Sequence, residues 1–111
     1  MIHALSIWLL VAAFLGAGLF NAIGTPATLA GFIRWGYPSG WHRVTGGLEI
    51  LSAILLALAP GRDAGLALGA LIITVAILTV VRHREYSHLA PLGVFLALIA
   101  LAAFSSSSGR G

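Results

Sequence analysis

The chain has 111 residues, of which 59% are hydrophobic and 8% are charged, and its net charge at pH 7 is +3. In soluble domains about a quarter of the residues are charged. This composition therefore excludes an ordinary soluble domain and is typical of an integral membrane protein. The sequence contains no cysteine, which excludes disulfides, thiol redox chemistry and thiolate metal sites. Its basic residues are arginines that lie singly near segment ends, which favours membrane anchoring over nucleic-acid binding.

Four apolar segments follow one another along the chain, at residues 2–23, 41–59, 64–81 and 89–104. A membrane-spanning helix needs about 20 residues, so the first three segments fit and the fourth is slightly short. The first segment lacks a preceding positive region, so we expect it to be retained rather than cleaved. We expect residues 1–104 to form one four-helix transmembrane domain, followed by a disordered tail at 105–111.

The connections between these segments define two faces of the predicted molecule. Short turns between helices predict an all-α, up-down-up-down four-helix transmembrane bundle. Both termini and the 60–63 turn then share one face. The opposite face, here called the loop face, holds the 25–40 loop and the 82–91 connector. The 25–40 loop is the longest connection and is rich in aromatic residues, and we expect a short helix at 28–35 within it.

Aromatic and basic residues suggest how the chain sits in a bilayer. Trp35, Tyr37 and Trp41 are the predicted interface anchors, since such rings favour the membrane–water boundary. Four arginines lie on the loop face and two on the terminal face. The positive-inside rule therefore predicts a cytoplasmic loop face. In chain order they are Arg34, Arg43, Arg82 and Arg84 on the loop face, and Arg62 and Arg110 on the terminal face.

Glu49 lies inside the second apolar segment, although the chain has only three acidic residues. Eight residues of helix place it about 12 Å along the axis. A charged side chain at that depth costs about 2.5–3.5 kcal/mol, so we expect it to face the bundle interior. The carboxyl could stay protonated and donate a hydrogen bond, or it could pair with an arginine.

Further polar residues share the loop-side half of the predicted bundle, which indicates a cavity that opens toward the loop face. His42 and Glu49 are seven residues apart and therefore lie on one helix face, and Gly46 between them permits close approach of a neighbour. The candidate ligand-binding residues are Asn21 on the first helix, His42, Gly46 and Glu49 on the second, and Thr79, Arg82 and His83 on the third.

Each candidate residue also has a structural interpretation. Glu49 could pair with Arg82, or bond to Asn21 or a backbone carbonyl, but intramembrane acids mark functional sites often enough to favour function slightly. For His42 and His83, placement at polar helix ends is the favoured interpretation. Asn21 and Thr79 are favoured as helix–helix contacts.

No catalytic residue and no metal site is predicted. His42 and Glu49 are two helical turns apart, about 10.5 Å, which is too far for a shared ion at about 2 Å ligand distances. The sequence shows no nucleophilic triad, phosphate-binding loop or carboxylate pair, and no cofactor-binding motif. We therefore expect no catalysis by the chain alone.

Three short motifs carry a family resemblance. They are FLGAGLFNAIG at 14–24, GFIRWGYP at 31–38 and GGLEI at 46–50. Together with the proline turn and the third apolar segment, they resemble the DoxX-like family of small four-helix membrane proteins over roughly residues 10–91. The most specific element is Gly46-x-x-Glu49. Many members of the family carry a lysine after the first glycine-rich helix, where this chain has Asn21, which argues against a mechanism that needs a cation there.

The resemblance implies a multi-pass protein of the bacterial inner membrane but does not select an activity. Some members resemble subunits of quinone-linked sulfur oxidoreductases, and animal relatives resemble assembly factors. Our first hypothesis is a quinone or lipid bound near Glu49, with partner subunits supplying any redox centre. The alternatives are a structural or assembly protein, and a small transporter or proton pathway. Beyond the lipid bilayer, a second copy or another membrane protein is the expected partner, and nucleic acid is not.

Overall fold

The computed structural model describes the backbone of residues 2–109 and the side chains of residues 2–105. Within that range the secondary structure is helical and contains no strand, which confirms the all-α prediction. The helices are α1 (Ile2–Ile23), α2 (Pro26–Arg34), α3 (Trp41–Ala57), α4 (Arg62–Arg82) and α5 (Leu89–Gly109), with 3₁₀ turns at Ala59–Gly61 and Tyr86–His88.

Three helical stretches are long and apolar enough to cross a membrane, namely Ile2–Ile23, Ala59–Arg82 and Tyr86–Ser105. Large apolar side chains cover their outer surfaces; Leu71 and Leu78 on α4, for example, are 61% and 64% exposed. In water such a surface would be costly, whereas in lipid it is not. Helix α3 has 17 residues and is the shortest of the four long helices.

Helix α2 forms inside the connection that the sequence predicts as an aromatic loop. The side chain of Thr25 accepts a hydrogen bond from the backbone nitrogen of Thr28 at 3.3 Å, and Pro26 occupies the first turn. A threonine cap followed by proline is a favoured helix start. The helix expected at 28–35 is therefore present, and it begins two residues earlier.

Helix α5 continues through the first residues of the predicted tail. Its backbone is helical to Gly109, so it includes residues 105–109 of the segment for which disorder is expected. Residues 110–111 lie outside the described part of the chain. The division into a transmembrane domain and a tail stays a prediction.

The core is apolar and lies among the four long helices. Helix α1 packs against α3 and α5, and α4 packs against the same two helices. Phe14 is fully buried at the centre, where its ring meets Phe95 edge-on at 5.0 Å between centroids. A Cβ atom on Gly69 would lie 2.8 Å from the Phe14 ring, so the glycine makes room for the aromatic side chain.

Helices α1 and α3 approach most closely at a pair of glycines. A Cβ atom on Gly46 would lie 2.6 Å from the carbonyl oxygen of Gly18 and 2.7 Å from the backbone nitrogen of Ala22. A Cβ on Gly18 would lie 2.7 Å from Ile50. Small residues at a crossing let two backbones come into contact. Since the C-terminal end of α1 meets the N-terminal half of α3, the two helices run in opposite directions.

Candidate functional site

Glu49 is buried at the α1–α3 contact, where it bonds to Asn21. The Asn21 Nδ2 atom donates to Oε1 of Glu49 at 2.5 Å, and Glu49 is 5% exposed. Asn21 lies one turn beyond Gly18, and Glu49 lies one turn beyond Gly46. Side chains tilt toward the N-terminus of their own helix, so in an antiparallel pair these two lean toward each other. The bond to Asn21 is one of the structural arrangements that the sequence left open.

His42 closes the loop-side end of the same contact. It is 9% exposed, and its ring lies directly against Gly24. A Cβ atom on Gly24 would lie 2.8 Å from the His42 ring, and the glycine has a φ of +70°, which disfavours other residues. The polar residues between α1 and α3 are therefore covered by close packing.

A second polar group lies at the loop end of α4. The hydroxyl of Thr79 donates to the carbonyl of Val75 at 2.8 Å, so the Tyr37 hydroxyl, 2.6 Å away, is the donor in its bond with Thr79. His83 Nδ1 donates to the carbonyl of Thr79 at 2.9 Å. The Tyr37–Thr79 bond connects the segment after α2 to the end of α4, and the His83 bond lies within that end.

A half-open groove of about 340 Å³ lies beside this group. It combines aromatic rings, aliphatic side chains, hydroxyl groups and one guanidinium group. Its lining residues are Trp35, Gly36, Tyr37, Val75, Leu78, Thr79, Arg82 and His83. We call it the loop-face groove.

The predicted ligand-binding residues thus fall into two groups. Asn21, His42, Gly46 and Glu49 lie at the α1–α3 contact, and Thr79, Arg82 and His83 line the loop-face groove. Among the side chains of residues 2–105, no hydrogen bond or ion pair joins one group to the other. Ligand binding by either group stays a prediction.

Glu85 is a polar contact point that the sequence analysis missed. It accepts from Arg34 at 2.9 and 2.6 Å and from the Trp35 indole at 2.5 Å, and His88 Nε2 lies 3.6 Å away. The Arg34 hydrogen bond, and then that of Trp35, lowers the pKa of Glu85 to about 2. We call Arg34, Trp35 and Glu85 the loop clamp. The signal in the sequence was an acid in the connector expected to face a loop that carries arginine and tryptophan.

The predicted interface anchors also belong to a packed aromatic cluster. Tyr37 and Trp41 stack in parallel, with ring centroids 6.0 Å apart, and Phe32 meets Trp35 at 5.6 Å. Trp35 is shared, since its indole belongs to the loop clamp and its ring lines the groove. Anchoring in the membrane interface stays a prediction for all three residues.

Three long apolar helices with apolar outer surfaces, together with polar groups near their loop ends, define a multi-pass membrane protein. The sequence profile of the DoxX-like family matches residues 5–102. The chain therefore belongs to the DoxX-like family, as the motifs around Gly18, Gly36 and Glu49 indicate. Comparison with curated proteins and with solved structures gave no match.

Proposed function

We propose that this protein is an accessory subunit of a redox complex in the bacterial inner membrane. In this role it binds a lipophilic molecule with a polar head, such as a quinone, in the loop-face groove. The observation that supports this proposal is the groove itself. Its volume lies within the range of about 300–1,000 Å³ that is usual for small-molecule sites. Its lining combines apolar side chains with the hydrogen-bonding groups of Tyr37, Thr79, Arg82 and His83.

In this proposal the chain crosses the bilayer four times, up and down. Helix α3 has 17 residues and is about 25 Å long, which is close to the hydrocarbon thickness of about 30 Å. It packs between α1 and α4, both of which are long enough to span. Glu49 and His42, two of its buried polar residues, face the C-terminal end of α1 rather than lipid.

The groove offers a polar head two kinds of contact. Arg82 is exposed and can donate hydrogen bonds to a carbonyl or another oxygen. The Tyr37 hydroxyl donates to Thr79, so its oxygen can still accept. Val75 and Leu78 provide apolar surface for a ring or tail. In a redox complex, a partner subunit would carry the electrons, and this chain would hold the lipophilic molecule.

A bulky side chain introduced into the groove tests whether the groove binds the ligand. Leu78→Trp should lower the affinity for a decyl-substituted benzoquinone in detergent, measured by titration calorimetry, by at least tenfold. Leu71→Trp is the matched control, because Leu71 lies two turns earlier on the same side of α4 at similar exposure and outside the groove lining. Equal affinities for wild type and both variants would contradict the proposal. Glu49→Gln should leave the affinity unchanged.

A structural or assembly role is the second candidate, and the Asn21–Glu49 bond favours it. A hydrogen bond between a buried carboxyl and an amide, beside a glycine crossing, fixes how two helices associate. In that case Glu49 substitutions should disrupt partner assembly, while groove substitutions should leave it intact; a loss of stability in the Glu49 variants is expected under either candidate. Blue-native electrophoresis of membranes from cells that express each variant separates the two candidates.

A further inference from the structure

We propose that the loop-face groove selects an anionic head group, and that its occupant is an anionic phospholipid whose phosphate is bound by Arg82. This inference rests on the proposed function, because it names the ligand class of the same groove. It goes further in one respect, which is that an anionic head should bind more tightly than a neutral one, so that a neutral quinone occupies the same groove more weakly than an anionic lipid does.

The acidic residues of the chain leave Arg82 without an ionic partner. Glu49 is buried against Asn21, and Glu85 is held by Arg34 and Trp35. Asp63 lies in the first turn of α4, at the far end from Arg82. Within the described side chains, none of the three acids lies within ion-pair distance of Arg82. The exposed Arg82 guanidinium beside the groove is therefore available to bind an anion from outside the chain.

The other charges nearby point the same way. Arg43, in the first turn of α3, and Arg84, just after α4, also lie on the loop face, and neither forms an ion pair within the described side chains. Glu85 is the acidic residue on this face, and its carboxylate is already paired with Arg34 inside the loop clamp. The loop face is therefore positively charged around the groove, which attracts anionic lipid.

The depth order of the lining residues matches that of a phospholipid. Arg82 ends α4, while Leu78 and Val75 lie about 6 and 10 Å deeper along the same helix. A phosphate at Arg82 would thus sit at the polar end, with its acyl chain along the leucine and valine. A single guanidinium group can donate two parallel hydrogen bonds to two oxygens of one phosphate. Tyr37 bonds to Thr79, which lies between Arg82 and Leu78 along the helix.

The test uses Trp35 as an internal probe. In a Trp8→Phe, Trp41→Phe background, the full chain is reconstituted in phosphatidylcholine vesicles that contain a minor fraction of chain-brominated lipid, which quenches nearby indoles. Brominated phosphatidylglycerol should quench Trp35 at a fraction about fivefold lower than brominated phosphatidylcholine. This preference corresponds to about 1 kcal/mol for one arginine near a lipid surface.

The preference should disappear in Arg82→Gln and persist in Arg82→Lys, which keeps the charge. Arg43→Gln is the matched control: it removes a loop-face arginine outside the groove and should keep most of the preference. Equal quenching by both brominated lipids in the wild type would overturn the anionic selectivity but leave the groove as a ligand site. If neither lipid quenches Trp35 and the benzoquinone does not bind, the proposed function itself fails. Competition by soluble inorganic phosphate at equal potency would overturn the assignment to lipid.

Discussion

At the scale of single residues, the Asn21–Glu49 bond shows how a polar pair can lie among apolar helices. A buried carboxyl without a partner is costly, and Asn21 meets it from the neighbouring helix. Glu49 is buried and Asn21 is half-buried, so removal of Asn21 leaves the carboxyl without a hydrogen-bond partner and with little access to water. The pair therefore specifies one register of α1 against α3.

This dependence predicts strong coupling between the two side chains. Asn21→Ala and Glu49→Ala should each lower the free energy of unfolding by about 1–3 kcal/mol. The double variant should lose less than the sum of the two, with a coupling of about 0.5–3 kcal/mol. Reversible unfolding in mixed micelles measures all three values.

Ser52→Ala provides the control for this cycle. Ser52 is also fully buried on α3, but its hydroxyl has no hydrogen-bond partner within the described residues. Its replacement removes an unsatisfied polar atom and should therefore leave stability unchanged or raise it. Additive losses in the Asn21 and Glu49 variants would contradict the proposed dependence.

The choice of partner for Glu49 could be narrowed from the sequence but not settled. Helical spacing indicates that Glu49 faces inward, and its burial agrees with that. Spacing alone left Arg82, Asn21 and a backbone carbonyl as candidates, because both side chains lie near the loop end of a neighbouring helix. The rotation and depth of α1 against α3 decide the matter, and these depend on the Gly18–Gly46 crossing.

At the scale of helices, the α1–α3 crossing predicts opposite effects for two adjacent glycines. Gly46→Ala should lower the free energy of unfolding by about 1–3 kcal/mol, because its Cβ would collide with the backbone of α1, which cannot move aside as a side chain would. Gly47→Ala has open space around its Cβ. It should be neutral or raise stability by up to about 1 kcal/mol through higher helix propensity.

The same unfolding measurement serves both variants, and Gly47→Ala controls for the change in propensity. Similar losses in the two variants would show that the crossing is looser than described. Similar gains would show that α1 and α3 can separate without cost.

The loop clamp predicts a transition at unusually low pH. The pKa of Glu85 is depressed from an ordinary value of 4.5 to about 2, so its contribution to stability is fully present above pH 4.5. That contribution is lost as the pH falls from 4.5 through about 2. In the Trp8→Phe, Trp41→Phe background, Trp35 emission should change with a midpoint near pH 2.

Glu85→Gln is the matched variant for this titration. It should lack the acid transition and should resemble the acid form of the parent at pH 7, since a neutral amide cannot replace the carboxylate for Arg34. A midpoint close to 4.5 in the parent protein would mean that the clamp does not hold the charged form of Glu85.

Helix positions were largely predictable, and the departures have local causes. The pattern of residues 2–23 predicts a helix that coincides with α1. The second segment ends two residues earlier than expected, because Leu58 is extended and Pro60 lies in a 3₁₀ turn. Helix α2 begins earlier than expected because of the Thr25 cap and Pro26. Apolar patterning locates helices well, while capping chemistry sets their ends.

At the scale of the whole molecule, the sequence predicts a cavity toward the loop face, but not that Trp35 and Tyr37 line it. Thr79 and Arg82 were placed at the loop end of α4 from their spacing. Their neighbours Trp35 and Tyr37 arrive there because the segment after α2 folds back and is held by Glu85 and Thr79. These contacts join residues 42 to 50 positions apart in the chain. Periodicity within one helix carries no information about such pairs.

The proposed path through the membrane gives the last prediction, which concerns α3. If α3 crosses the bilayer, Ser39 and Ser87 lie on one side and Asp63 on the other. If α3 alone does not cross, Ser39 and Asp63 share one side, and Ser87 lies on the other because α4 still crosses. The chain has no cysteine, so single substitutions to cysteine give unambiguous labels at these exposed positions. The excess of arginines on the loop face predicts that this face lies in the cytoplasm. A membrane-impermeant maleimide should therefore label Asp63→Cys in intact spheroplasts, and should label Ser39→Cys and Ser87→Cys only after lysis. The reverse pattern would keep the four crossings and invert the orientation. Labelling of Ser39→Cys and Asp63→Cys from the same side, with Ser87→Cys labelled from the other side, would exclude a crossing by α3, and with it the placement of Glu49 inside the bilayer.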